Sequence, residues 1–397
     1  MKVADYSLET AKELEAILGY WMQYTVDETN GGFYGKVNND NVPAPRAPKG
    51  SVLNSRILWS FSAGYNKTRD SRYLDMAHRA FRYIVEHFID REYGGVYWSV
   101  DYTGAPLSDR KQVYGLAFCI YGLTEYYKAC NSDEALQLAI ALYRTIEAHS
   151  YDPERRGYYE AFARNWQPLD DLRLSDKDAN EQKTMNTHLH VIEAYANLFL
   201  VWPDSLLQQQ LIKLLEVFDE YMIDAKNGHL VLFFDEHWQR RSGMFSYGHD
   251  IEAAWLLQWV AEVLADKNWI ARMKENALRI TNAAMEGLDK DGGLWYEYEN
   301  GHLIQQKHSW PQAEAMIGFL NAWQVSGEQR YFDLSVQSWR FIQQHIKDNA
   351  KGEWFWGVNA DYTVMQGQDK AGFWKCPYHS SRAMLEVMHR LDNVATG

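Results

Sequence analysis

Apolar residues recur at three- and four-residue spacing in twelve stretches of the chain. These lie near 8–22, 51–65, 73–88, 112–128, 133–149, 184–200, 205–222, 249–265, 268–287, 309–326, 329–346 and 379–392. That spacing lines one side of a helix, so twelve helices in six pairs are expected. Between them a glycine-aromatic signature returns about every 60 to 70 residues: GGFYG (31–35), YGGVYWSV (93–100), RGYYEAF (156–162), NGHLVLFF (227–234), DGGLWYEY (291–298) and KGEWFWGV (351–358). Each copy reads as a turn running into a short extended ribbon. Six such units either stack as an open solenoid or close into a ring. Open solenoids usually carry polar caps and shorter periods, whereas both terminal units here keep the aromatic turn of the middle ones. The expectation is an all-α fold, an (α/α)6 barrel with short β-ribbons in its connecting loops, with residues 1–397 as one domain.

The helices at 51–65, 112–128, 184–200, 249–265, 309–326 and 379–392 are the more apolar or aromatic of each pair and are assigned to the inner ring. Charged faces such as that of DMAHRAFRYIVEHF belong to the outer partners. The segment 163–183, ARNWQPLDDLRLSDKDANEQK, is too long and polar for a plain connector and is read as a lid over one end of the barrel.

Composition narrows the choice of partner. A formal charge of −13 with no basic block speaks against nucleic acid or an anionic membrane, and favours a neutral ligand. The opening residues hold no apolar signal core and no run is long enough to span a bilayer, so a cytoplasmic protein is expected, monomeric or a weak homodimer. Three scattered cysteines make neither a disulfide framework nor a zinc cluster. Sixteen tryptophans and 26 tyrosines exceed ordinary needs; most pack the core, and the surplus suits stacking on sugar rings.

The unusual polar residues fall near the starts of the inner helices: Arg56, Tyr114, Asn186, His190, His249 with Glu252 and Trp255, Trp310 with Glu314, and His379 with Arg382. In a ring of parallel inner helices these starts meet at one end, where the helix dipoles also favour an anionic intermediate. The three histidines are taken to hold equivalent positions. His188 and His190 diverge on a helix, and no H-E-x-x-H motif exists, so no metal is expected there and the choice is between packing and chemistry. Arg56 lies in an apolar stripe and requires a partner or a wet cavity; Glu252 or Glu314 is the candidate partner.

The segments MNTHLHVIEAYANL, SYGHDIEAAWLL, WPQAEAMIGFLNAWQ and WKCPYHSSRAMLE resemble the N-acylglucosamine 2-epimerase superfamily, most of all its cellobiose 2-epimerase branch, over nearly the whole chain. The resemblance implies an (α/α)6 barrel, no cofactor, and inversion at C2 of a reducing-end aldose. It implies that His249 and His379 are the acid/base pair, and that His190 assists ring opening or hydrogen-bonds the carbonyl oxygen. Arg56 then stabilises the enediolate. Asn186, Glu252, Trp255, Trp310, Glu314 and, less directly, Tyr114 match binding positions, while Trp374 matches an aromatic that stacks on the sugar beyond the reducing end. One departure is Ser309-Trp310-Pro311, where relatives usually have two consecutive tryptophans. Alternatives are a mannose 2-epimerase or aldose-ketose isomerase acting on monosaccharides, a glycoside hydrolase using Glu252 and Glu314, and a carbohydrate-binding scaffold using aromatics alone.

Overall fold

The computed structural model describes residues 1–395, with side chains as far as Asp392. Its twelve α-helices are α1 (Val3–Tyr24), α2 (Ser51–Thr68), α3 (Ser71–Tyr83), α4 (Val113–Cys130), α5 (Asp133–His149), α6 (Met185–Phe199), α7 (Ser205–Val217), α8 (Tyr247–Leu264), α9 (Lys267–Ala284), α10 (Ser309–Ser326), α11 (Gln329–Phe341) and α12 (Tyr378–Ala395). Helices α3, α7 and α11 each run on through a π-helical turn, at Ile84–Phe88, Phe218–Met222 and Ile342–Ile346.

The even-numbered helices form a ring, α2 against α4, α4 against α6, and so on to α12 against α2, which makes the closed (α/α)6 barrel. Each inner helix is followed by its outer partner except at the seam, where α1 packs on α12. An inner helix is covered on all sides, which is why its sequence is apolar around most of its circumference: in α2 every residue from Ser51 to Gly64 is buried. Close approach inside the ring uses glycine, because a Cβ on Gly122 of α4 would lie 2.6 Å from the Ser55 carbonyl oxygen and one on Gly318 of α10 would lie 2.7 Å from that of Ile251.

The glycine-aromatic ribbons have a role the sequence did not disclose. The two residues before an inner helix pair antiparallel with the ribbon of the next unit: Lys49 with Val100, Lys111 with Phe162, Lys183 with Phe234, Ser246 with Glu297, and Lys307 with Val358. A single bridge between Val37 and Ala371 completes the circuit. Within each unit a buried lysine near the loop's end meets the aspartate at its start, at 2.7–2.8 Å: Lys49–Asp27, Lys111–Asp90, Lys183–Asp152, Lys307–Asp289 and Lys370–Asp348. The fourth unit has Phe245 at the lysine position, stacked on His229, whose Nδ1 lies 2.7 Å from Asp250 of α8.

A second tie uses the fourth residue of the inner helix. His188, Asp250 and Gln312 accept the backbone N–H of Tyr158, Leu230 and Leu294 at 2.8, 2.8 and 2.7 Å. His188 is therefore a fastener between α6 and its own loop. Its Nδ1 is occupied by the Thr184 carbonyl oxygen at 2.6 Å, and burial pushes its pKa down to about 3.

Candidate functional site

The N-terminal ends of all six inner helices border one cavity of about 410 Å³, α2 through Arg56 in its second turn and the others from their first turns. Arg56, Tyr114, Asn186, His190, His249, Glu252, Trp310, Trp374 and His379 all line it, as does Ser309. The segment 163–183 closes over it, with Leu172 to Ser175 and Lys177 to Ala179 on the wall. Lys177 reaches from that segment to the hydroxyl of Tyr296 and lies 3.7 Å from Glu297, spanning between the third and fifth units.

Counted from each helix start, Arg56, Phe118, His190, Glu252 and Glu314 are the sixth residues of α2, α4, α6, α8 and α10, so one inward layer carries a cation, a ring, an imidazole and two acids. His249 and His379 stand higher, as the third residue of α8 and the second of α12. The three histidines thus do not hold equivalent positions; they converge from different depths. Trp310 lies beside both upper ones, its ring 4.8 Å from His249 and 5.4 Å from His379.

Arg56 is buried without a carboxylate partner among the described residues. One amino group donates to Tyr114 Oη at 2.8 Å, and the guanidinium lies over Phe118 and Tyr378, 4.1 and 4.9 Å from their centroids. The expected partners Glu252 and Glu314 are instead taken by Arg382, whose Nη2 contacts Glu252 and lies 2.6 Å from Glu314, while Nη1 contacts Tyr378 and lies 2.5 Å from Glu193. The physical reason is charge: three buried acids need a cation in their midst, and Arg382 sits there. Arg56 keeps its positive charge for the cavity.

Two residues expected to bind ligand stand behind the wall. Glu314 is fully buried, accepting from Trp255 Nε1 at 3.0 Å and meeting His379 Nδ1 at 2.7 Å; Trp255 packs against Arg382. They orient and brace the wall. Arg382 thus supplies the charge the buried acids need, and Glu193 and Tyr378, which no motif pointed to, join it, while Cys376 lines the cavity beside Arg56. Glu193 left a signal, since an acid three residues after His190 in an apolar inner helix shares its face.

Burial, with His190 and Lys177 nearby, pushes His249 down to about 3. Burial and the cations Arg56 and Arg382 hold His379 well below the usual imidazole range. Both rings are therefore neutral at pH 7, able to accept a proton and poised to give it back. Burial, with Glu314 alongside, pushes Glu252 up to about 7. Glu252, Glu314 and His379 bring ligand atoms within 4.8 Å of one another, a donor set a divalent ion can use, but the Arg382 guanidinium already contacts both acids.

The arrangement offers two neutral bases, a third imidazole, and an uncommitted guanidinium around a pocket with aromatic walls. This serves proton abstraction next to a carbonyl, where an oxyanion forms and must be held. It does not serve glycoside hydrolysis, which sets two carboxylates about 5–9.5 Å apart astride the bond; here Glu252 and Glu314 share one guanidinium nitrogen.

The model of the N-acylglucosamine 2-epimerase family matches residues 31–383. Cellobiose 2-epimerase of Bacteroides fragilis is 47% identical over 96% of this chain and 98% of its own length, and that of Dictyoglomus turgidum is 38% identical over 94% and 96%. Among solved structures, cellobiose 2-epimerase from Bacillus thermoamylovorans superposes with a TM-score of 0.93 at 38% identity, over 98% of this chain and 100% of its own.

Proposed function

The chain belongs to the N-acylglucosamine 2-epimerase family and is a carbohydrate epimerase, and from that premise we propose how the cavity inverts C2 of a reducing-end aldose and that the sugar is cellobiose or a similar disaccharide. The observation that carries the reading is the meeting of His249, His379 and His190 with an unpaired Arg56 at one end of the barrel. Opening of the sugar ring exposes an aldehyde, and the C2 hydrogen becomes acidic. One of His249 and His379 removes it and the other returns a proton to the opposite face, because inversion at one carbon needs two groups. Arg56, with Tyr114 steadying it, holds the enediolate oxygen. Asn186, Glu252, Tyr114 and Trp310 bind the reducing-end ring, and Glu314 holds His379 with Nδ1 protonated. The whole chain acts as one catalytic domain and needs no metal. Among the described residues no helix is long and apolar enough to cross a membrane.

In deuterated water with chelator present, cellobiose should yield the mannose-ended disaccharide, and both epimers should acquire deuterium at C2 by NMR. Release of free glucose would replace this reading with hydrolysis, and activity lost to chelator and restored by a divalent ion would end the metal-free mechanism.

Trp374 tests the size of the sugar. Its ring stands half-buried at the cavity rim, 5.8 Å from Trp98 and 6.0 Å from Tyr114. Trp374→Ala should raise KM for cellobiose about fivefold, the equivalent of about 1 kcal/mol of stacking, and leave KM for mannose nearly unchanged. Equal effects on both, with better wild-type kcat/KM for mannose, would favour a monosaccharide substrate.

A further inference from the structure

Two of the three imidazoles in the cavity rest on carboxylates, and that of His190, Glu193, lies behind the cavity wall. Glu193 is buried on α6 with Oε2 2.9 Å from His190 Nδ1; its Oε1 accepts from Tyr378 Oη at 2.6 Å and from Arg382 Nη1 at 2.5 Å. Burial opposes its ionisation, but the Arg382 charge and the hydrogen bonds from His190 and Tyr378 hold it down to about 2, so it is charged. A charged carboxylate only accepts hydrogen bonds, and therefore Nδ1 of His190 carries a hydrogen. In the Nδ1–H tautomer the lone pair lies on Nε2, which meets no hydrogen-bond partner among the described residues. The rings of Tyr114 and Phe118, 5.1 and 4.6 Å away, fix the tilt of the imidazole in the cavity wall.

We propose that Glu193 is a positioning residue that fixes His190 as the Nδ1–H tautomer, so that Nε2 takes the proton of the anomeric hydroxyl and opens the sugar ring. The step balances on one proton. Nε2 takes it from the hydroxyl on C1, the freed electron pair forms the C1=O bond, the C1–O5 bond breaks with its pair going to O5, and Nε2–H returns the proton to O5. While the ring is imidazolium, the Glu193 charge lies against it. A neutral Nδ1–H ring has no hydrogen on Nε2 to offer a carbonyl, so of the two roles open to His190 the geometry favours ring opening. The kinetic consequence rests on the epimerase reading, whereas the tautomer is read without any substrate.

The experiment is 15N NMR of histidine-labelled protein at pH 7, with His190 assigned by the signals lost in His190→Ala. The expected ring is protonated at Nδ1 and bare at Nε2; a ring protonated at Nε2 overturns the proposal, whatever the enzyme's reaction proves to be. In Glu193→Gln the amide can turn its NH2 to Nδ1 and reverse the ring, and kcat should fall at least about tenfold with KM little changed. Introduced into His190→Ala, the same substitution should cost less than about twofold, because its partner is already gone. Equal losses in both backgrounds would mean that Glu193 acts through Arg382 alone and would overturn the assignment. Should Glu193→Gln fail to fold, the wild-type tautomer decides.

Discussion

His249→Ala and His379→Ala are each expected to lower kcat for epimerisation by about 10²–10⁴-fold, the range of a positioned acid/base group, with the fold intact. Both side chains border the cavity: His249 has only Ser246 Oγ, at 3.0 Å on Nδ1, and although His379 reaches from α12 to Glu314 on α10, that acid keeps Trp255 and Arg382 when the ring is removed. The losses should appear in kcat more than KM, because the rings act on the moving proton and contribute little to ground-state binding. Circular dichroism and urea unfolding of the same variants check the fold. Near-normal turnover in either one would remove that histidine from the mechanism. His188→Ala supplies the contrast: it orphans the Tyr158 amide, costs about 1–3 kcal/mol of stability, and leaves kcat of the folded enzyme close to normal.

The largest loss of stability is expected from Arg382→Met. The guanidinium is buried among Glu193, Glu252 and Glu314, and its removal strands acids that cannot reach water. Breaking a buried pair on one side costs about 3–5 kcal/mol, and here one side faces three partners. Urea unfolding should show at least that loss, or the variant should fail to accumulate as folded protein. Adding Glu252→Gln should restore part of it, because it removes one of the three acids crowded at the site, and burial and Glu314 already push Glu252 up to about 7. A stability within about 1 kcal/mol of wild type would show that water reaches the cluster and that Arg382 is dispensable to it.

The helices were legible because an inner helix and an outer helix leave different patterns: α2 is apolar or small nearly all round, whereas α3 alternates a buried face through Tyr73, Ala77, Ala80 and Phe81 with charge. The first helix begins at Val3, earlier than the expected residue 8, since Tyr6 is buried and its hydroxyl bonds to Ser335 on α11. Nothing local marks that contact. Pairing of ribbons between successive units was invisible for the same reason, because the pairing residues lie about 50 positions apart, as Lys49 and Val100 do. The buried lysines were readable in principle, each about 20 to 30 residues after an aspartate that opens a glycine turn. At the site, residue types and helix starts gave the cavity lining, but partner choice did not follow from types: Arg56 and Arg382 are both arginines in apolar helices, and only their places in the ring decide which is neutralised and which faces the ligand.

The seam between α1 and α12 carries a consequence for biosynthesis. Helix α1 is made before the other eleven helices, yet its main inner-ring partner is α12, the last of them to be made, with Leu18 also lying against Gly64 of α2. At a synthesis rate of about 5–20 residues per second, α1 waits roughly 20–70 s for that partner. The five other pairs can form as hairpins while the chain grows, since each inner helix is followed at once by its partner. Closure of the ring, α12 against both α1 and α2, therefore has to wait until α12 has been made.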